Sequence, residues 1–181
     1  MNKNFRTKKA AEEVSLIEKT IHVNRVAKVV KGGRRFGFSA LVVVGNGQGR
    51  IGVGHGKANE VPEAVRKATE RAKNRMFDVP VMNATIPHEA VGEYGSGRVV
   101  LRPASSGTGV IAGPVVRAIM DAAGYHNILS KSLGSSNPHN VLRATLNALT
   151  NMESPEQVAA RRGIPVEQVM ENYKHARAGQ A

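Results

Sequence analysis

The sequence predicts an α+β protein, with a β-β-β-α unit followed by a compact α/β unit. Three observations carry this. Residues 23–57 hold three runs rich in β-branched residues, separated by Gly32-Gly33 and by Gly45-Asn46-Gly47-Gln48-Gly49. Such dipeptides signal hairpins because they accept the positive φ of tight turns. A helical pattern follows, with Val61, Ala64, Val65, Ala68, Ala72 and Met76 recurring at spacings of three and four. Beyond Asn83, short patterns alternate in the order β-β-α-β-α, as in a small layered α/β fold.

Taken in order, residues 1–19 are polar, with a weak apolar patch at Val14, Leu16 and Ile17. They read as an arm, either a frayed terminus or a segment that orders on RNA. The strands run to Val30, over 36–44 and over 50–56, with Val26, Val29, Phe38, Leu41 and Val43 expected to hold them together. The helix is expected over 60–77, with Asn59 as N-cap and Pro62 in the first turn, where its missing N–H costs little. Its small apolar residues let it lie close to a sheet. Arg66, Lys67, Arg71, Lys73 and Arg75 form either a solvated face or one turned to nucleic acid.

Residues 78–83 connect to the second unit, where 85–88 and 97–103 read as strands and 104–109 as a loop of small residues. Pro114 opens a helix that Gly124 closes. Residues 127–133 read as a strand, 134–138 as a loop, and 139–151 as a helix with Val141, Leu142, Thr145, Leu146 and Leu149 inward. Ser154 and Pro155 start a helix that Gly163 stops, and Pro165 starts another. The expected organisation is an arm (1–19), a first domain (20–81), a second domain (82–152) and a helical extension (153–181).

The chain of 181 residues carries 26 Lys and Arg against 14 Asp and Glu, which points to a polyanionic partner. Residues 1–75 hold 17 of those cations against 6 carboxylates, so the contact belongs mainly to the first unit. The absence of cysteine excludes disulfides, thiol nucleophiles and thiolate metal sites. No run approaches the roughly 18 apolar residues of a membrane span, and the N-terminus lacks the apolar core of a secretory signal. A cytoplasmic protein without a membrane partner is expected.

The first hairpin is the most informative place. Lys28, Lys31, Arg34 and Arg35 crowd around Gly32 and Gly33. Four cations at one tip repel each other, so an anionic partner explains them better than the fold does. Gly47-Gln48-Gly49-Arg50-Ile51-Gly52 matches G-x-G-x-x-G, but a strand-like alternation follows where a dinucleotide site needs a helix. Gly52, Gly54 and Gly56 instead allow another backbone, protein or RNA, to approach closely. Residues 105–113 and 134–138 each precede a helix, and either holds RNA phosphate through backbone N–H groups or merely caps the helix. His22, His55, His88, His126, His139 and His175 are scattered, and no Ser lies in a G-x-S-x-G context. No catalytic constellation, cofactor or metal site is expected. With no Trp and few Phe and Tyr, base stacking is poorly supplied, and recognition of RNA shape and phosphate is favoured.

The runs VNRVAKVVKGGRRFGFSALVVVGNGQGRIGVGHGKANEVPEAVRKA, RPASSGTGVIAGPVVRAIMDAAG, GSSNPHNVLRATLNAL and SPEQVAARRG resemble the ribosomal protein S-five family of the small subunit, in its bacterial form. The resemblance covers residues 18–163. It implies a double-stranded-RNA-binding-like first domain and a second domain with a β-α-β crossover. It also implies a structural role in the small ribosomal subunit, binding its RNA near the decoding region and supporting assembly and translational accuracy. A free RNA-binding regulator is the alternative. By matching position, Asn24, Arg25, Lys28, Lys31, Gly32, Gly33, Arg34, Arg35 and Phe36 correspond to the RNA-contacting strand and hairpin, beside the spectinomycin site. Lys57, Ser135, Ser136 and Asn137 complete the expected RNA-binding set. Gly109 and Arg117 match a contact with protein S-four, and the C-terminal helices would lie toward protein S-eight. No homo-oligomer is expected. Two features depart from related patterns. The first helix of a free double-stranded-RNA-binding domain is missing, and the long helix opens with Glu60-Val61-Pro62-Glu63 where a lysine cluster is usual. The tail after Gly163 is longer than the family's usual end.

Overall fold

The computed structural model describes residues 16–178. Strands β1 (Ile17–Val30) and β2 (Gly33–Gly45) form a long antiparallel hairpin, and β3 (Arg50–Ala58) pairs with the other edge of β2. Helix α1 (Val61–Lys73) packs across this sheet, and β4 (Phe77–Asp78) pairs with the start of β3. β1 begins inside the expected arm: Ile17, Glu18 and Lys19 pair with Gly45, Val44 and Val43, because Leu16 reaches the core beside Val42 and Val44. Residues 1–15 of that arm lie outside the described residues.

Backbone contact sets the helix against the sheet. Gly52, Gly54 and Gly56 leave one face of β3 without side chains, and Ala64, Ala68 and Ala72 stand one turn apart on α1 with no exposed surface. A Cβ built at Gly54 would lie 1.9 Å from the Ala68 carbonyl oxygen. At Gly52 and Gly56 it would lie 2.1 and 2.0 Å from the carbonyls of Ala72 and Ala64. The approach that these glycines permit is therefore to the protein's own helix. Glu60, not Asn59, is the N-cap of α1, and it makes no side-chain cap hydrogen bond; the helix starts with Pro62 in its first turn. It ends at Lys73 rather than at residue 77, because Phe77 and Asp78 leave to pair with Ile51 and Arg50.

The opposite face of the sheet sends Leu41, Val43 and Ile51 into a core shared with the second unit. That unit contains β5 (Ala90–Tyr94), β6 (Gly97–Pro103), β7 (Val110–Ile111), helix α2 (Pro114–Ala123), β8 (Ile128–Ser132) and helix α3 (Pro138–Thr150). Its sheet order is β5-β6-β8-β7, antiparallel except for the parallel β7–β8 pair that α2 connects. The fold is thus α+β, with the expected crossover. Residues 85–88 form no strand. Thr85, Ile86 and Pro87 are buried as expected of a strand, but Pro87 lacks a ladder donor, and only Thr85 makes an isolated bridge, to Met82. The strand begins later, at Ala90, and the two-residue β7 was too short to show a period. Helices α4 (Pro155–Arg162) and α5 (Val166–Ala178) follow, with a capping box at Ser154 and Gln157 and left-handed Gly163 at the end of α4.

The two units are tied at the second turn. Gly47 and Gly49 N–H groups donate to the carbonyls of Ala122 and Ala123, 3.0 and 2.8 Å away, at the C-terminal end of α2. The linker is fastened as well: the buried Tyr125 hydroxyl donates to the Pro80 carbonyl at 2.9 Å, and the Ala84 carbonyl accepts from His126 and Asn127. Burial pushes the Tyr125 phenol well above its ordinary pKa, so it stays a donor.

Gly54→Ala should lower stability by roughly 1–3 kcal/mol or more, since α1 must move off β3 to admit the methyl group. Gly32→Ala should cost far less, because no atom lies within 4 Å of a Cβ there. Urea unfolding of the two variants checks the contrast.

Candidate nucleic-acid interface

Past Gly37, the β1–β2 hairpin leaves both helices behind. Asn24, Arg25, Lys28, Lys31, Gly32, Gly33, Arg34, Arg35 and Phe36 are all exposed. The pairs from Ala27–Phe36 out to Val30–Gly33 extend the hairpin by roughly 13 Å at about 3.3 Å per residue. Val29, expected to hold the strands, is 74% exposed, and Phe36 is 51% exposed. The sheet is held instead from Gly37 inward, by Ala40, Leu41, Val42, Val43 and Val44.

The register sorts the tip residues. Lys28 lies opposite Arg35 on one face, while Arg34 and Phe36 lie opposite Val29 and Ala27 on the other. On that second face the Arg25 guanidinium stacks over the Phe36 ring, 3.9 Å from its centroid, which orients both side chains without neutralising the charge. Among the described residues, none of Arg25, Lys28, Lys31, Arg34 and Arg35 takes part in an ion pair. The connecting loop is Lys31-Gly32, one residue earlier than the expected Gly32-Gly33 turn, because Gly33 already pairs with Val30. Gly33 carries the unusual backbone, with φ at 135°.

The other expected sites separate. The G-x-G-x-x-G amides at Gly47 and Gly49 are taken by α2, so they have no donors left for a pyrophosphate. In the 105–113 loop, the N–H groups of Gly107 and Gly109 donate to the buried Asn127 Oδ1 at 3.0 and 3.2 Å. Asn127 explains that loop's shape without a ligand. In the 134–138 loop, Asn137 caps α3 by accepting from the His139 N–H at 3.1 Å, Ser135 Oγ accepts from the Asn137 N–H, and Ser136 is exposed. Lys57 is exposed at the end of β3, opposite Ser39. Arg117 is exposed on α2, donating to the Val110 carbonyl at 3.0 Å, in a shallow groove beside the Lys19–Asp121 ion pair. Gly109 lies half-buried in the loop before β7, far from the hairpin in the chain, and its φ is 78°.

Three of the scattered histidines come together. His55 and His139 meet ring edge to face, with centroids 5.4 Å apart, and His22 is close enough to influence His139. No sequence spacing revealed this, because β1, β3 and α3 each supply one ring. His88, by contrast, is absorbed structurally, accepting the Glu153 N–H at Nε2. Among the described residues, no group of three His, Cys, Asp or Glu side chains could hold a metal ion. Among them also, no helix is long and apolar enough to cross a membrane.

Comparison with known families decides the lineage. The family model described as "Ribosomal protein S5, N-terminal domain" matches residues 16–80, and "Ribosomal protein S5, C-terminal domain" matches residues 92–162. The chain belongs to the ribosomal protein S5 family. The S5 relatives include a protein of Syntrophobacter fumaroxidans named small ribosomal subunit protein uS5, 61% identical over 159 residues. That match spans 88% of this chain and 96% of the relative. A protein of the same name from Azorhizobium caulinodans is 53% identical over 169 residues, 93% of this chain and 91% of the relative. The first S5 domain corresponds to the sheet that carries the hairpin, and the second to the sheet with the β7-α2-β8 crossover.

Like charges directly opposite on paired strands destabilise a sheet. Lys28→Ala should therefore leave the free protein as stable or raise its stability by roughly a few tenths of a kcal/mol at low salt. Thermal unfolding at two ionic strengths checks this, and a marked loss of stability would give Lys28 a structural role.

Proposed function

We infer that this chain is a structural constituent of the small ribosomal subunit and binds small-subunit ribosomal RNA through the β1–β2 hairpin. The observation that carries the reading is the exposed tip, where Lys28, Lys31, Arg34 and Arg35 have no ion-pair partner among the described residues and stand on a two-stranded extension clear of both helices. Such an extension adds little to the fold's own core, and suits insertion between RNA segments. Its cations would neutralise phosphates, its glycines would let backbone approach RNA, and the Arg25–Phe36 stack would present an oriented cation. Asn24, Lys57, Ser135, Ser136 and Asn137 extend the proposed contact along the body. The names of the uS5 relatives support the subunit. No catalytic role is part of this reading.

Finer features follow from the family resemblance. The RNA contact would lie near the decoding region and support translational accuracy and assembly. The neighbour at Gly109 and Arg117 would be protein S-four, and the exposed Arg117 guanidinium and the groove beside it suit a protein contact. Protein S-eight would lie toward the C-terminal helices. The domains would divide near residues 81 and 152. A free RNA-binding regulator of the same fold is the alternative. Retention on small subunits through a high-salt wash supports the ribosomal reading, and loss to the free pool supports the regulator.

Replacing two of Lys28, Lys31, Arg34 and Arg35 with Ala should weaken RNA binding and flatten its log–log salt dependence by roughly 0.7–0.9 per lost phosphate contact. Filter binding over a salt series measures the slope, and an unchanged slope would make these residues mere surface. A second outcome concerns the drug site. Gly33→Val should strain a backbone held at φ 135°, at a cost of about 1–2 kcal/mol, and place β-branched bulk on the tip. No atom lies within 4 Å of a Cβ there, so the body should still fold. Cells relying on this variant should assemble subunits yet show altered spectinomycin sensitivity. Wild-type sensitivity would count against the hairpin's placement beside that site.

A further inference from the structure

The face of the first sheet turned away from α1 carries a row of polar groups that leads from the hairpin tip to α3. Lys28 and Arg35 are paired near the tip. Four residues inward, Asn24, Ser39 and Lys57 lie abreast, and the next row in is His22, Leu41 and His55. Helix α3 closes on this last row, where His139 meets His55 edge to face. Arg143 stands one turn further along α3, with its guanidinium over the Tyr94 ring and a hydrogen bond to the Tyr94 hydroxyl.

The groups facing this cluster are known from each element. β1 supplies His22, β2 supplies Ser39, β3 supplies His55 and Lys57, α3 supplies His139 and Arg143, and β5 supplies Tyr94. Ser39 Oγ lies 2.7 Å from His55 Nε2. Among the described residues, no carboxylate is ion-paired with any of these cations or imidazoles. A cluster that concentrates positive charge in this way has room for protons only when an anion arrives.

We propose that His22, His55, His139 and Arg143 form a phosphate-binding site for RNA that takes up protons as RNA binds. This rests on the reading of the chain as an RNA-binding protein, and adds residues that the hairpin reading does not include. Burial, then His55, Arg143 and His22, hold His139 below its ordinary value of 6.5. A phosphodiester laid along the row from Lys28 and Arg35 reverses the balance, because its negative charge favours imidazolium, with protons drawn from solvent. The two effects have opposite signs. The unfolded chain binds more protons at His139 than the free fold does, so the free protein's stability falls as pH drops through 6.5 and below. The RNA complex binds more protons than the free protein does, so RNA affinity rises over the same descent.

The test uses the full chain with transcribed small-subunit ribosomal RNA at fixed salt, from about pH 8 to about pH 5.5, the range in which imidazoles titrate. Each proton taken up steepens affinity by about tenfold per pH unit, so an overall gain of about tenfold or more is expected in the wild type. The double variant His55→Gln with His139→Gln should show a flat profile over this range and bind about tenfold or more weakly than the wild type at its acidic end. His126→Gln, on the exposed loop before β8, should keep the wild-type profile. Parallel profiles for wild type and double variant would overturn the proposal. Wild-type binding that is tight, salt-dependent and flat in pH would overturn it while leaving the hairpin reading intact. Wild-type binding with no preference for small-subunit RNA over unrelated RNA would overturn the functional reading itself. If the double variant does not fold, NMR titration of the wild-type imidazoles decides. The His139 midpoint should lie below 6.5 in the free protein and rise on adding RNA, and a midpoint that RNA does not move would refute the proposal.

Discussion

The structure depends on backbone meeting backbone. Side chains normally keep a helix away from a sheet's backbone, but the buried seam between β3 and α1 is lined by glycines on one side and alanines on the other. Gly52, Gly54 and Gly56 face the carbonyls of Ala72, Ala68 and Ala64 in register, two strand residues to each helical turn. The match is geometric: two residues of strand advance nearly 7 Å, and one turn of helix advances about 5.4 Å, close enough for three successive contacts when the elements cross at an angle. Every atom added along this seam would strike main chain, which has no rotamer to change.

The same device joins the two units. Gly45 and Gly124 lie where a Cβ would meet the carbonyls of Ala122 and Gly47, and the intervening turn caps the open C-terminal end of α2 with the N–H groups of Gly47 and Gly49. A helix end needs partners for its last carbonyls, and a glycine-rich turn can bring donors close enough to serve. With the inner ends of the strands gripped on one face by α1 and on the other by the shared core, the outer ends of β1 and β2 are free of packing duties. That division permits a long exposed hairpin on a small protein. It also permits cations there that no core would tolerate and no carboxylate offsets among the described residues.

Much of this was legible from local chemistry. The hairpin, α2 with its Pro114 start and Gly124 end, β6 over Gly97–Pro103, and the Ser154 cap all follow from short-range rules. The failures share a cause. Thr85, Ile86 and Pro87 are buried outside any strand, Phe77 leaves the helical pattern to join one, and Val29 is apolar without being buried. In each case the residue type was read correctly, but the partner that decides its state lies elsewhere in the chain. The glycine-rich candidate loops are the functional counterpart, because whether an N–H is free for phosphate depends on Ala122, Ala123 and Asn127.

By itself the sequence determined the family, the order of the main elements and the concentration of charge at one hairpin, since these rest on composition, periodicity and residues adjacent in the chain. Tertiary structure alone decided what the glycines of β3 approach and which loop amides remain free. It also brought His22, His55 and His139 together. The physical reason is separation: β1, β3 and α3 each place one imidazole, and only the strand register and the docking of α3 bring side chains 33 and 84 residues apart into one electrostatic neighbourhood.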